Sequence, residues 1–369
     1  MLLLFFISCL VLLLYVAMII AFWVGWQRIP NFIPEKKLKQ TPRVSLVICC
    51  RNEEQNLPSL LASISSQSYK NFEVIFANDH STDQTAELLA KYAKQHRNVS
   101  VFVPQQIGKK NAFREAIDGA SGELICCTDA DCLLSEKHIE TLVDYYNSTQ
   151  ADMILGGVQM CYESSMFEAL QALEFLSLQA STIGAAGLGC PIMCNGANMA
   201  FTKALWKKKK EKLCMKAASG EDEFLLFALK KMGGKIRFVK NEETIVSTKV
   251  CSTLNEFFHQ RSRWTSKSLY YTDMQTIVVG LLVFFSVLVI LLWGICSCFS
   301  VKAFYIFLLF FFVKFAVDTF FMYKTLPFFA ERKLCRFTFL LSLLYPVYVV
   351  SSLFGGFFAR KMWKNRIFR

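Results

Sequence analysis

Long apolar segments lie at both ends of the chain, and a mixed segment lies between them. Met1–Trp26 contains no charged residue. About 26 helical residues extend roughly 39 Å, enough to cross a hydrocarbon core of about 30 Å. Further apolar runs follow near the other end, at 274–301, 303–323 and 337–359. The pattern predicts a transmembrane anchor over residues 1–26 and a C-terminal membrane region, 274–359, with two or three spans.

The flanks of the first apolar run predict an uncleaved anchor followed by a cytosolic segment. No Lys or Arg precedes the run, and bulky aromatic residues end it at Trp26, which differs from a signal peptide. Basic residues follow in the linker 27–41 and at Arg43. Because cytosolic flanks carry an excess of Lys and Arg, we expect the next segment to face the cytosol.

The basic tail 360–369 is expected in the cytosol by the same rule, which requires an even number of crossings after the middle segment. One C-terminal apolar run should therefore not cross fully. We expect this of 337–359, because Pro346 lies in its middle and Gly355–Gly356 near its end. Lys314 and Asp318 are one helical turn apart in the preceding run and predict either a structural ion pair or a polar pathway.

The middle segment, 42–270, alternates between apolar runs typical of strands and amphipathic runs typical of helices. Such alternation predicts βαβ units and a mostly parallel α/β sheet, whose ligands bind at the carboxyl ends of the strands. Strands are predicted at 44–50, 72–77, 99–103 and 123–127, and helices at 57–64, 83–95 and 111–120.

The run 166–178 predicts either a helix in the membrane interface or a core helix.

Composition supports a membrane protein with a cytosolic domain. Hydrophobic residues make up 54% of the chain, which excludes a disordered protein, and the net charge is +12. The basic residues sit beside the apolar runs, so a membrane surface is favoured over nucleic acid as the partner. The 14 Cys residues include adjacent pairs inside apolar runs and no CxxC motif, which indicates reduced thiols and no zinc or redox site.

Three carboxylate clusters follow predicted strands or open a helix. They are 78–83, 129–131 and 221–223. Each alone has a structural explanation, as a helix cap or as first-turn carboxylates. Two carboxylates at a strand end also suit Mg²⁺, which binds one or two carboxylates together with substrate phosphates. A third carboxylate on another element is then available as a base.

Seven motifs follow one another along the chain: Val44–Ile48 with Arg51-Asn52-Glu53-Glu54, 78–83, Gly108-Lys109, 128–131, 195–200, 220–222 and Gln260-x-x-Arg263-Trp264. Their order resembles that of family 2 glycosyltransferases with the GT-A fold. The flanking spans resemble the membrane-integral branch, which includes polysaccharide synthases and ceramide glucosyltransferases. Asn78 and His80 depart from the Asp and Gly that are usual in this family.

The resemblance implies a nucleotide-diphospho-sugar donor, with UDP-linked sugars as the expected class, and a Mg²⁺ or Mn²⁺ cofactor. Asp131 and Asp129 would hold the metal ion. Asp79 would contact the nucleobase. The remaining donor contacts implied by the motifs are Lys109, Asp129, Gln260 and Arg263.

The resemblance also implies the acceptor side of the reaction. Asp222 would be the catalytic base of an inverting transfer, and Trp264, Glu221 and Asn198 would contact the acceptor. Trp264 alone would also fit a membrane-interface anchor. The motifs leave the acceptor open between a lipid, glycosylated once at the cytosolic leaflet, and a growing polysaccharide. An inactive sugar-binding scaffold is a third alternative, which the intact Asp79, Asp131, Asp222 and Arg263 disfavour.

Overall fold

The computed structural model describes residues 2–35, 38, 40–163, 165–209, 220–358, 361–363 and 366–368. It divides into two compact units. The helical unit comprises the described residues of Met1–Ile29, Tyr162–Ile192 and Val250–Ala359. The sheet unit comprises those of Pro30–Cys161, Met193–Lys249 and Arg360–Arg369. The linker residues Lys36, Lys37 and Lys39, and Arg360, Lys364 and Arg369 of the basic tail, lie outside the described residues.

Strands and helices alternate through the first half of the sheet unit, as the sequence pattern predicts. The strands are β1 (Val44–Cys50), β2 (Phe72–Asn78), β3 (Val99–Phe102), β4 (Leu124–Asp129), β5 (Met153–Leu155), β6 (Val158–Cys161), β7 (Met199–Thr202), β8 (Ile236–Phe238), β9 (Val246–Lys249), β10 (Lys361–Trp363) and β11 (Arg366–Phe368). The helices are α1 (Leu2–Arg28), α2 (Leu57–Ser65), α3 (Thr85–Gln95), α4 (Lys109–Gly119), α5 (His138–Thr149), α6 (Met166–Gly187), α7 (Lys203–Lys209), α8 (Glu221–Lys230), α9 (Leu254–Ser266), α10 (Met274–Ser297), α11 (Val301–Thr325) and α12 (Thr338–Phe358).

Seven strands of the sheet unit form one mostly parallel sheet, in the order β3-β2-β1-β4-β7-β5-β8. Strands β1, β2, β3 and β4 run parallel, whereas β7 is antiparallel to both of its neighbours. Every residue of β1 is buried, as expected for a parallel strand that is covered on both faces. Parallel alignment brings the carboxyl ends of β1, β2 and β4 to one edge of the sheet, where Cys50 pairs with Asn78 and Cys49 with Asp129.

The helical unit contains four helices that are long and apolar enough to span a membrane. These candidate spans are Leu2–Arg28, Met274–Ser297, Val301–Phe329 and Arg332–Gly355. They match the four apolar runs of the sequence. Helix α12 continues through Pro346, so the proline does not end it. By length this helix could cross, and the prediction that it does not cross fully stays a prediction.

Two helices from the middle of the chain, α6 and α9, belong to the helical unit rather than to the sheet unit. Helix α6 packs against α1, and a Cβ atom added to Gly25 or Gly187 would collide with backbone atoms of the other helix. Glycine at both positions therefore permits close approach of the two backbones. Whether α6 lies in the membrane interface stays a prediction.

The predicted pairing of Lys314 with Asp318 is confirmed. The ammonium nitrogen of Lys314 lies 2.6 Å from Oδ2 of Asp318, and Tyr15 of α1 donates its hydroxyl to Oδ1 of the same carboxylate at 2.8 Å. Lys314 also donates to the Tyr15 oxygen at 3.0 Å. Tyr15 thus contacts both members of the ion pair and connects α11 to α1, as expected of a structural pair in the interior of a helix bundle.

Candidate active site

Polar residues of the sheet unit gather at the carboxyl edge of β1, β2 and β4, where the sequence places Asp79, Asp129 and Asp131. Asp79 is fully buried directly after β2. Its carboxylate accepts a hydrogen bond from the backbone N–H of Gly108 at 3.0 Å. Its own backbone N–H donates to the backbone carbonyl oxygen of Cys50 at 2.8 Å. Asp79 therefore fixes the loop that begins α4. Its predicted contact with a nucleobase stays a prediction.

His80 follows with a positive φ of 52°, a conformation that glycine adopts most readily. This backbone requirement explains why the family usually has Gly at the position that His80 takes here. One ring nitrogen of His80 lies 3.1 Å from the carbonyl oxygen of Pro104. The side chain thus has a structural partner inside the sheet unit.

Lys109, the first residue of α4, lies between two carboxylates. Its ammonium nitrogen is 2.7 Å from Oδ1 of Asp129 and 3.9 Å from Oε1 of Glu221. Burial alone would lower the pKa of Lys109, but the charges of Asp129 and Glu221 outweigh it and hold that pKa well above its usual value. Lys109 therefore stays a cation, and it connects the β4 edge of the site with the start of α8.

Asp129 and Asp131 offer two carboxylates at the end of β4. Asp131 is exposed, and one of its oxygens accepts from the Cys132 thiol at 3.6 Å. Within the described ranges, no group of three or more His, Cys, Asp or Glu side chains is placed to hold a metal ion. Two carboxylates nevertheless fit Mg²⁺ or Mn²⁺ when substrate phosphates complete the coordination. The buried Oε2 of Glu221, which has no hydrogen-bond partner, is a further hard oxygen beside Lys109.

Asp222 lies in the first turn of α8, after Gly220, whose φ of 99° favours glycine. One carboxylate oxygen of Asp222 accepts from the backbone N–H of Gly196 at 2.8 Å, and the other accepts from the N–H of Glu223 at 2.9 Å. A Cβ atom added to Gly196 would come within 3.3 Å of this carboxylate. The loop and the helix start therefore fix the orientation of Asp222.

Asn198 is buried beneath the same region, and only 2% of its surface is exposed. Its side-chain nitrogen donates to the carbonyl oxygens of Gly157 and Thr244, both at 2.7 Å. Both amide hydrogens are thus used within the sheet unit. The predicted contact of Asn198 with an acceptor stays a prediction.

The remaining predicted residues, Gln260, Arg263 and Trp264, lie on α9 of the helical unit. Trp264 is half-buried. Arg261 and Glu174, which the sequence motifs did not indicate as functional, form a buried ion pair with 2.5 Å between nitrogen and oxygen. A signal for this pair was present in the sequence, because Glu174 is an acidic residue in an apolar run and buried charges are generally paired.

Comparison with known proteins finds matches for the central segment. Residues 45–207 match the family described as "Glycosyl transferase family 2". A poly-β-1,6-N-acetyl-D-glucosamine synthase of Staphylococcus epidermidis is 28% identical over 178 residues, which cover 45% of this chain and 43% of that protein. The enzyme of the same name from Staphylococcus aureus (strain COL) is 25% identical over 149 residues, covering 40% and 36%. The match spans less than half the length of these relatives.

A solved structure has the same fold. The mannosyltransferase PcManGT from Pyrobaculum calidifontis, solved in complex with GDP-Man and Mn²⁺, has a TM-score of 0.62. The alignment covers 95% of this chain and 99% of that chain, at 14% sequence identity. This likeness, together with the parallel sheet, confirms the predicted GT-A fold.

Proposed function

We propose that this chain, whose residues 45–207 form a glycosyl transferase family 2 domain, transfers a sugar from a nucleotide-diphospho-sugar to a lipid-linked or glycan acceptor at the cytosolic membrane face. One observation carries the proposal. A continuous series of contacts runs along the carboxyl edge of the sheet, from Asp79 through Gly108 to Lys109, and from Lys109 to Asp129 and Glu221. Asp222 follows Glu221 directly.

The donor would lie along this edge, with its diphosphate beside Lys109. Breaking the bond between C1 and the phosphate oxygen leaves negative charge on the diphosphate, which a cation stabilises. Asp131 and Asp129 would hold Mg²⁺ or Mn²⁺, which supplies Lewis-acid stabilisation of the leaving group when bound. Gln260 and Arg263 are further donor contacts that the motif predicts, and a guanidinium suits a phosphate because it can donate two parallel hydrogen bonds.

Asp222 would act as the base on the acceptor side. The acceptor oxygen forms a bond to C1 as its proton passes to the Asp222 carboxylate, and the bond from C1 to the diphosphate oxygen breaks on the opposite face. A single displacement inverts the anomeric centre. General base catalysis contributes about 10²–10⁴-fold to such a step. The N–H groups of Gly196 and Glu223 orient this carboxylate, and Glu221, Asn198 and Trp264 are the predicted acceptor contacts.

One contact in the helical unit supports the proposed membrane orientation. Trp26, at the end of α1, packs against Phe328 and Phe329 with ring centroids 5.7 and 6.4 Å apart. The end of α1 and the connection between α11 and α12 thus lie at the same end of the helices. Both carry basic residues, which favours the cytosolic side for this end. The basic residues are Arg28 at the end of α1, Lys324 in the last turn of α11, and Arg332, Lys333 and Arg336 in the connection.

Helix α12 begins from this same end. Its second half packs along α9, where the rings of Tyr348 and Phe257 lie 5.4 Å apart and Gly355 adjoins Ser262. Because α9 carries Gln260, Arg261 and Arg263, it suits a membrane surface better than the hydrocarbon core. This contact supports the prediction that α12 does not cross fully and that the tail is cytosolic.

A processive polysaccharide synthase is the second candidate. The relatives from Staphylococcus are named as poly-β-1,6-N-acetyl-D-glucosamine synthases, which favours an N-acetylhexosamine donor and a polymeric product. An inactive sugar-binding scaffold is a further alternative, but the fixed orientation of Asp222 and the clustered Lys109, Asp129 and Glu221 favour an enzyme.

Membranes that contain the protein, incubated with a panel of labelled nucleotide sugars, test the proposal. We expect one sugar to enter a product with release of a nucleoside diphosphate, and the product linkage to have the anomeric configuration opposite to that of the donor. A single added sugar on a lipid would favour the first candidate, and a ladder of lengths the second. If no sugar of the panel is transferred, the inactive sugar-binding scaffold is the remaining alternative.

A further inference from the structure

The helix that carries Gln260, Arg263 and Trp264 is fixed within the helical unit by a buried ion pair. The side chains of Arg261 and Glu174 are only 2% and 4% exposed. A nitrogen of the Arg261 guanidinium lies 2.5 Å from Oε2 of Glu174 on α6, and the hydroxyl of Tyr348 on α12 donates to Oε1 at 3.1 Å. The Glu174 carboxylate is therefore bound from two helices.

The same guanidinium contacts both ends of the motif on its own helix. Its second terminal nitrogen donates to Oε1 of Gln260 at 2.5 Å. Its central carbon lies 4.3 Å from the ring centre of Trp264 and 4.7 Å from that of Phe257. Residues 257, 261 and 264 share one face of a helix because they are three or four positions apart. Arg261 thus bonds one motif residue and stacks on another.

The hydrogen bond from Arg261 determines the orientation of the side-chain amide of Gln260. Because Oε1 faces Arg261, the amide nitrogen of Gln260 points away with two N–H donors. Within the described part of the chain that nitrogen forms no hydrogen bond. The guanidinium covers one face of the Trp264 ring, and the ring centre of Phe175 lies 5.9 Å from that of Trp264.

We propose that Arg261 is a positioning residue of the transferase, held by Glu174 and Tyr348, which sets the orientation of Gln260 and Trp264 for substrate binding. The part that concerns substrate rests on the proposed function, whereas the part that concerns orientation does not. The guanidinium suits this task because it is planar and presents several N–H donors in a fixed fork while it stacks on aromatic rings. A lysine would keep the charge but could not make all of these contacts at once.

The test variant is Arg261→Lys, because a variant that removes the charge leaves Glu174 buried and unpaired and is at risk of unfolding. The matched control is Lys314→Gln, which disturbs the partly buried ion pair with Asp318; the contacts of Lys314 with Asp318, Tyr15 and Tyr345 lie outside α9. Trp264→Phe, alone and combined with each variant, isolates the fluorescence of Trp264 by difference. All variants are purified as full chains in detergent.

Acrylamide quenching of Trp264 fluorescence tests the orientation without any activity. We expect the quenching constant of the Trp264 component to rise about twofold in Arg261→Lys, because the covering guanidinium is lost, and to be unchanged in Lys314→Gln. An unchanged constant in Arg261→Lys would overturn the proposal, whether or not the protein transfers sugar.

Kinetics test the role in binding. A merely structural loss lowers the maximal rate in proportion to the folded fraction and leaves both KM values unchanged, which is the result expected for Lys314→Gln. For Arg261→Lys we expect the KM values for donor and acceptor to rise about three- to tenfold, the effect of one misplaced hydrogen bond or stacking contact. Unchanged KM values for this variant would overturn the positioning role. A wild-type chain that transfers no sugar would instead refute the proposed function.

Discussion

The ammonium group of Lys109 forms an ion pair with Asp129, 2.7 Å from a carboxylate oxygen at the end of β4. The two residues are 20 positions apart in sequence. Their contact joins the start of α4 to the strand end that carries the predicted metal ligands. In the proposed reaction, the same lysine would face the donor diphosphate.

Replacing Lys109 by Gln should weaken donor binding. The change removes a cation that lies near Asp129 and Glu221, so a donor diphosphate would approach both carboxylates without the positive charge of Lys109. We expect the donor dissociation constant to rise about tenfold or more, the usual effect of losing a hydrogen bond to a charged group. Calorimetric titration with the donor measures it. The control Lys109→Arg keeps the charge and should lose less donor affinity. Equal donor affinity in Lys109→Gln and the wild type would contradict the proposed contact of Lys109 with the diphosphate.

Glu73 on β2 should make stability depend on pH. Burial alone would raise the pKa of Glu73, but hydrogen bonds from Ser45 and Ser121 and the charge of Arg43 outweigh it and lower that pKa below its ordinary value. A carboxyl group with a lowered pKa in the folded state stabilises the protein above its unfolded pKa of about 4.3. The stabilisation is lost as the pH falls through the folded pKa.

The variant Glu73→Gln tests this linkage. At pH 7 it should lower the free energy of unfolding by about 1–3 kcal/mol, because hydrogen bonds to a charged group are lost. The difference from the wild type in melting temperature should shrink as the pH falls below about 4. Glu87→Gln, at an exposed position of α3, is the control and should change little at either pH. A constant difference across this range would contradict the account.

The metal role of Asp131 is open to a direct titration. The variant Asp131→Ala should lose activity together with its dependence on a divalent ion, because Asp129 alone offers one carboxylate, which is already paired with Lys109. Activity is measured against added Mg²⁺ or Mn²⁺, and no concentration should restore the variant. Full activity of the wild type in EDTA would refute the metal role outright.

Local patterns in the sequence predicted much of the sheet unit, and β1 begins and ends where the apolar run does, at Val44 and Cys50. A parallel strand that is buried on both faces leaves such a continuous run. The placement of the antiparallel β7 between β4 and β5 was not predicted, because it depends on contacts between distant segments. The pairing of Arg261 with Glu174, 87 positions apart, was not predicted for the same reason.

The same limit applies to the candidate active site, where local motifs indicated single residues but not the contacts between distant segments. The motifs predicted Asp129 and Asp222 as individual candidates. They did not predict that Lys109 would link Asp129 to Glu221, or that the N–H of Gly196 would orient Asp222. Such links arise only when loops from separate βα units meet at one edge of a sheet.

Thiol accessibility in intact cells tests the membrane orientation. A reagent that cannot cross the membrane should fail to label a cysteine placed at residue 207, in the exposed part of α7, and one placed at residue 366. A cysteine in the connection between α10 and α11, such as the exposed Cys298, should be labelled in the same cells. Labelling at 207 would contradict the enzyme account. Labelling at 366 but not at 207 would make α12 a full span and leave the enzyme account standing.

The central claim is that Asp222 is the base of a sugar transfer, and paired assays of Asp222→Asn test it most directly. One assay is transfer from the accepted nucleotide sugar in membranes, and the other is calorimetric titration of the purified chain with that donor. We expect transfer to fall by about 10²–10⁴-fold, while donor affinity stays near that of the wild type and the control Glu242→Gln keeps both. Undiminished transfer by Asp222→Asn, or an equal loss of donor affinity, would contradict the account.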